Sequence, residues 1–124
     1  MKITSFNPLI VTKDAENVIK LFEELGFERR HTSEGTNDDS GFVTVRMKDS
    51  SGFYVDVSQS DRVPQDMTAI RMNVDDFEGT IEMLTAQGFV NANGGRVTDL
   101  GSSKSVFMMA PSGFCISVVK HIKK

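Results

Sequence analysis

Apolar positions change period in a fixed order along the chain. Val43, Val45 and Met47 alternate with other residues, as do Phe53, Val55 and Val57, the two-residue period of a strand with one buried face. Val18, Ile19, Phe22 and Leu25 recur instead at helical steps. The pattern predicts a strand over 6–12, a helix capped by Asp14, and three further strands over 28–33, 41–48 and 53–58. Gly26 fits the left-handed residue that ends a helix. Phe27 then follows at the position that touches Phe22, one turn back.

The same order returns in the second half. Ser51-Gly52-Phe53-Tyr54-Val55-Asp56-Val57 recurs as Ser112-Gly113-Phe114-Cys115-Ile116-Ser117-Val118, an offset of 61 (112 − 51). Val45 and Met47 meet Val106 and Met108 at that offset, while Asp14, Gly26 and Phe27 meet Asp76, Gly88 and Phe89 at 62 (76 − 14). An ordered series of matches marks an internal repeat. The second helix has Phe77, Ile81 and Leu84 as its apolar line and an Asp75-x-x-Glu78 capping box. Phe22 and Leu84 are expected to be equivalent core positions. Strands follow over 90–93, 105–110 and 114–120.

Each half therefore reads β-α-β-β-β. The expected fold class is α+β, one domain over 1–124, with a first module at about 1–60 and a second at about 67–124. A linker around 60–66 carries Pro64. A sheet with one helix covers only one of its faces, so two such modules are expected to pair around a central cleft.

Alternation sorts the faces. Pro8, Ile10, Val43, Val45, Met47, Phe53, Val55 and Val57 should pack under the first helix. Ile70, Met72, Val74, Val106, Met108, Phe114, Ile116 and Val118 should do so under the second. The opposite face mixes Asn7, Leu9, Thr44, Arg46, Tyr54 and Asp56 with Ala69, Arg71, Phe107, Met109, Cys115 and Ser117. Mostly apolar side chains with a few placed polar groups are the make-up of small-molecule pockets.

Composition narrows the partners. Apolar residues make up 39% and charged residues 25%, a globular balance, and 14 basic against 17 acidic side chains give −3 with no basic stripe for nucleic acid. One cysteine, Cys115, excludes an internal disulfide, and a reducing, cytoplasmic setting is expected. No apolar run approaches the roughly 18 residues of a membrane span, and the first residues lack the apolar stretch of a secretory signal.

Cys115 has no histidine near it in the strand pattern and reads as a small core residue. Gly94-Gly95 and Gly101-Ser102-Ser103 lack the strand-to-helix context of a phosphate loop and read as turns.

The chain resembles the vicinal-oxygen-chelate superfamily, which takes in glyoxalases, extradiol dioxygenases and bleomycin resistance proteins. The resemblance rests on Val11-Thr12-Lys13-Asp14-Ala15-Glu16 with Leu25-Gly26-Phe27, on Val74-Asp75-Asp76-Phe77-Glu78 with Gly88-Phe89, and on Ala110-Pro111-Ser112-Gly113-Phe114. It implies the glyoxalase/bleomycin resistance fold. Metal-dependent members place His or Glu at four equivalent positions, and these fall here on Asn7, Asp56, Ala69 and Ser117. Of those only Asp56 is a good ligand for a divalent ion. The resemblance thus implies a metal-site-deficient member without cofactor, closer to bleomycin-binding resistance proteins, and a homodimer.

The resulting expectation is a metal-independent protein that binds a small organic molecule, antibiotic or metabolite, and sequesters it rather than catalysing a reaction. Its ligand-binding residues are Asn7, Arg46, Tyr54, Asp56, Arg71, Phe107 and Ser117. Arg71 could hold an anion or pair with Asp56. Two arginines against one carboxylate leave a positive charge over, which points to an anionic or aromatic ligand. The alternative is a metal-independent lyase, isomerase or epimerase with Asp56 as base.

Overall fold

Each helix forms where the apolar spacing puts it. In the computed structural model, which describes residues 2–34, 43–92, 98–99 and 103–121, helix α1 runs Ala15–Glu24 and helix α2 runs Phe77–Ala86. Ile19 is 2% exposed, and Val18 and Phe22 lie partly buried beside it. Leu25, expected on that face, is 62% exposed, because the helix has already ended when the chain reaches it.

The helix starts differ from the expected caps. Asp14 occupies the cap position of α1, but its side chain accepts from Asn17 Nδ2 (2.7 Å) and caps no backbone donor. The Ala15 N–H is taken instead by Gln59 Oε1 at 2.9 Å. In α2 the cap is Asp76, whose Oδ1 accepts from the Gly79 N–H at 3.0 Å. The expected Asp75–Glu78 box is thus displaced by one residue. A Cβ at position 79 would run into the Asp76 carboxylate, which accounts for a glycine in the first turn.

The chain divides into two compact units. One, Asn7–Thr68, takes its strands from β1 (Ile3–Thr12), β2 (Glu28–Glu34), β3 (Val43–Lys48) and β4 (Tyr54–Gln59). They lie in the order β2-β3-β4-β1, with β1 parallel to β4 and the other pairs antiparallel. Ala15, Ile19, Val45, Met47, Val55 and Val57 form its core, joined by Ile10, Phe22 and Phe27.

The other unit comprises Met1–Phe6 and Ala69–Lys124. Its strands are β5 (Met67–Val74), β6 (Val90–Asn91), β7 (Thr98–Asp99), β8 (Ser103–Met109) and β9 (Cys115–His121). The order is β5-β9-β8-β6, with β7 paired to β8. Met72, Val74, Phe77, Leu84, Val106, Met108 and Val118 form its core. The opening residues are tied to this unit. The Lys2 N–H donates to Asp75 Oδ1 at 2.6 Å, the Asp75 N–H donates back to the Lys2 carbonyl at 3.1 Å, and Asn73 Nδ2 donates to Ser5 Oγ at 2.8 Å.

The repeat is visible in backbone detail. The Phe27 N–H bonds the Phe22 carbonyl at 2.9 Å, and the Phe89 N–H bonds the Leu84 carbonyl at 3.0 Å. This is the six-residue closure that ends a helix on a left-handed residue. The rings of Phe22 and Phe27 meet edge to face at 5.4 Å. Gly52 and Gly113 turn the last hairpin of each unit at φ 93° and 98°.

Four residues expected in the cores are outside them. Val43 (39%), Phe53 (67%) and Phe114 (49%) are exposed, as is Pro8. The first three sit at or beyond strand ends, past the cover of a ten-residue helix about 15 Å long.

Candidate functional site

The β3–β4 and β1–β4 registers set Arg46 opposite Asp56, and Asp56 opposite Leu9. These side chains alternate with Val45, Met47, Val55 and Val57 and so lie on the sheet face turned away from α1. Asp56 is fully buried. Its Oδ1 accepts from Arg46 Nε at 3.1 Å, and its Oδ2 accepts from Asn7 Nδ2 at 2.8 Å and from Arg46 Nη2 at 3.4 Å. Asn7 closes the ring: its Oδ1 accepts from the same Nη2 at 2.8 Å, while Nδ2 also donates to the Pro8 carbonyl at 2.9 Å. The amide and the carboxylate therefore fix the guanidinium in one orientation.

Tyr54 completes the cluster. Arg46 Cζ stands 4.7 Å from its ring centroid and Lys48 Nζ 5.3 Å away, both within cation–π range. Thr44 Oγ1 and Ser58 Oγ share a hydrogen bond of 2.6 Å on the same face. Of the residues singled out in the sequence, Asn7, Arg46, Tyr54 and Asp56 are brought together. Asp56 takes Arg46 of its own unit as an ion-pair partner.

In the other unit, Ser117 is the register partner of both Phe107 and Arg71. Those three form one cross-strand row, with Ser117 buried and the flanking pair half-buried. This row is the repeat equivalent of Arg46, Asp56 and Leu9. The arginine has moved from the third strand of one unit to the first strand of the other. Ala69, the counterpart of Asn7, is 2% exposed and brings no polar group. Asn73 Oδ1 on this unit's first strand is a buried acceptor with no hydrogen-bond donor among the described residues.

Sequence reasoning missed Lys48. It lies two residues beyond Arg46, and strand alternation alone puts it on the same face. Cys115 is 2% exposed, its S–H donates to the Gly113 carbonyl at 3.4 Å, and burial pushes its thiol pKa up. The backbone of His31 pairs with Arg46. The glycine turns at 94–95 and 101–103 fall largely outside the described residues, with Ser103 opening β8. Among the described residues no helix is long and apolar enough to cross a membrane.

The sequence matches no protein-family model and no curated protein. Solved structures are similar in fold. Methylmalonyl-CoA epimerase from Mycobacterium tuberculosis superposes with a TM-score of 0.70 at 16% identity, over 98% of this chain and 90% of that one. A glyoxalase/bleomycin resistance protein/dioxygenase superfamily member from Vibrio splendidus 12B01 gives 0.63 at 16%, over 96% and 99%. A glyoxalase I mutant from Zea mays gives 0.71 at 15%, over 98% of this chain and 45% of the longer one. The chain has the α+β fold of the glyoxalase/bleomycin resistance superfamily, and at these identities the likeness is one of fold.

The metal that the fold's enzymes imply finds a poor donor set here. Asn7 and Asp56 direct their oxygens at Arg46, a fixed positive charge. Ala69 has no donor and Ser117 offers a neutral hydroxyl. Among the described residues no three His, Cys, Asp or Glu side chains cluster. These residues do not fit a catalytic divalent ion.

Proposed function

We propose that this chain binds a small organic ligand, without a metal, on the helix-free face of the sheet formed by residues 7–68. The observation that carries the reading is the guanidinium of Arg46, clamped by Asp56 and Asn7 under the ring of Tyr54. A clamped arginine is a rigid donor for a ligand oxygen, and its cost in side-chain freedom is met before the ligand arrives. The adjoining Tyr54 ring gives a flat apolar surface for an aryl or similar body. The commitment of Asp56 to Arg46 and Asn7 favours holding the ligand over transforming it. The test is titration with small aryl carboxylates followed through Tyr54, the only tyrosine in a chain without tryptophan. A saturable change in its emission supports the reading, and no change with any of them counts against it.

A second reading is metal-independent epimerisation or isomerisation, favoured by the fold shared with methylmalonyl-CoA epimerase. It makes Asp56 the base. Deuterium uptake at the α-carbon of a small acyl thioester, lost in Asp56→Asn, would support it. Against it stands the carboxylate's burial and its commitment to Arg46 and Asn7.

A further inference from the structure

The face that holds Arg46 carries a second cation whose charge is not neutralised in the same way. Lys48 and Tyr54 are register partners on β3 and β4, so the ammonium and the ring face one another directly. Among the described residues the ion pairs are made by Arg29, Arg30, Arg46 and Lys104, and none reaches Lys48. The adjacent Asp49 is committed elsewhere. Its Oδ1 accepts from the N–H groups of Ser51 (3.1 Å) and Phe53 (2.8 Å) and holds the hairpin turn. Arg46 has its charge matched by the fully buried Asp56. Lys48 thus adds to this face an ammonium that takes part in none of those ion pairs.

We infer, resting on the ligand-binding reading above, that Lys48 is the residue that selects for an anion. In this arrangement the Lys48 ammonium takes the carboxylate of an aryl-carboxylate ligand at the edge of the Tyr54 ring. Arg46, already paired with Asp56, contributes orientation through the Nη1 edge that makes no hydrogen bond among the described residues. An ammonium over a ring face is partly desolvated. It gains more from a carboxylate than a fully hydrated lysine would.

The experiment titrates phenylacetate and methyl phenylacetate into wild type, Lys48→Met and Lys48→Arg, reading Tyr54 emission. The acid should bind wild type about tenfold tighter than the ester, the scale of one charge-assisted contact. That ratio should fall to about one in Lys48→Met and persist in Lys48→Arg, which keeps the charge. A ratio that survives in Lys48→Met overturns the assignment to Lys48 and leaves the binding reading standing. Equal affinities in wild type also overturn it. Failure of wild type to bind either compound overturns the assignment to Lys48, and the binding reading falls with it when the other aryl carboxylates also fail to bind.

Discussion

Arg46 Nε lies 3.1 Å from Asp56 Oδ1, across one step of strand register, and the carboxylate it meets is wholly inside the protein while the arginine side chain keeps 24% of its surface exposed. This asymmetry sets the energetic consequence. Removing the guanidinium takes two hydrogen bonds and a counter-charge from the buried Asp56, which costs more than the pair itself contributes. Arg46→Met should lower stability by about 3 kcal/mol in urea denaturation. Arg46→Met combined with Asp56→Leu should lose less than the single change. A double variant whose loss equals or exceeds the sum of both singles would show that the pair is not the coupled unit described.

The positive charge of Arg46 against Asn7 and Asp56 leads to a prediction about metals. Protein purified and dialysed against a mild chelator should carry no stoichiometric zinc, nickel or iron by elemental analysis. One retained ion per chain would contradict the account of these side chains as bound to each other.

Gly52 and Gly113 test the repeat through the backbone alone. Both hold a positive φ, and a Cβ at either would meet nothing within 4 Å. The cost of Gly52→Ala and Gly113→Ala is therefore conformational, about 1–2 kcal/mol each. Thermal unfolding should show two similar losses, and a neutral result at one site would break the equivalence of the two hairpins.

Much of this architecture was legible because each unit obeys simple periods. The helix ends at Gly26 and Gly88, the strand faces carrying Val45, Met47, Val106 and Met108, and the repeat itself follow from spacing. Local competition was harder to read. Gln59 is 44 residues from the Ala15 N–H that it caps, so no nearby motif could show that Asp14 would be spared that task. Phe53 and Phe114 alternate correctly yet stay exposed, because periodicity assigns a side and not the length of the helix that covers it. At the site, alternation placed Asn7, Arg46, Tyr54 and Asp56 on one face. That Asp56 would be matched by Arg46 depended on the β3–β4 register, which the turn at 49–53 fixes.

Cys115 offers a check on burial. Its thiol is enclosed and its pKa is pushed up by that enclosure, so the thiolate fraction at pH 8 is smaller than for a free cysteine. Ellman's reagent at pH 8 should react slowly with the folded protein and fully once the chain is unfolded in guanidinium. Rapid reaction of the native protein would place the residue at the surface.

The face holding Arg46 and Tyr54 is the one proposed to receive the ligand. The direct measurement is a two-dimensional proton–nitrogen NMR titration with phenylacetate, 4-hydroxybenzoate and 2-naphthoate, following backbone amides and the Arg46 Nε–H. At least one compound should shift the signals of Arg46, Lys48, Tyr54 and Asp56 most, in a saturable manner. Saturable shifts confined to α1 and α2, or none with any of the three, would contradict it.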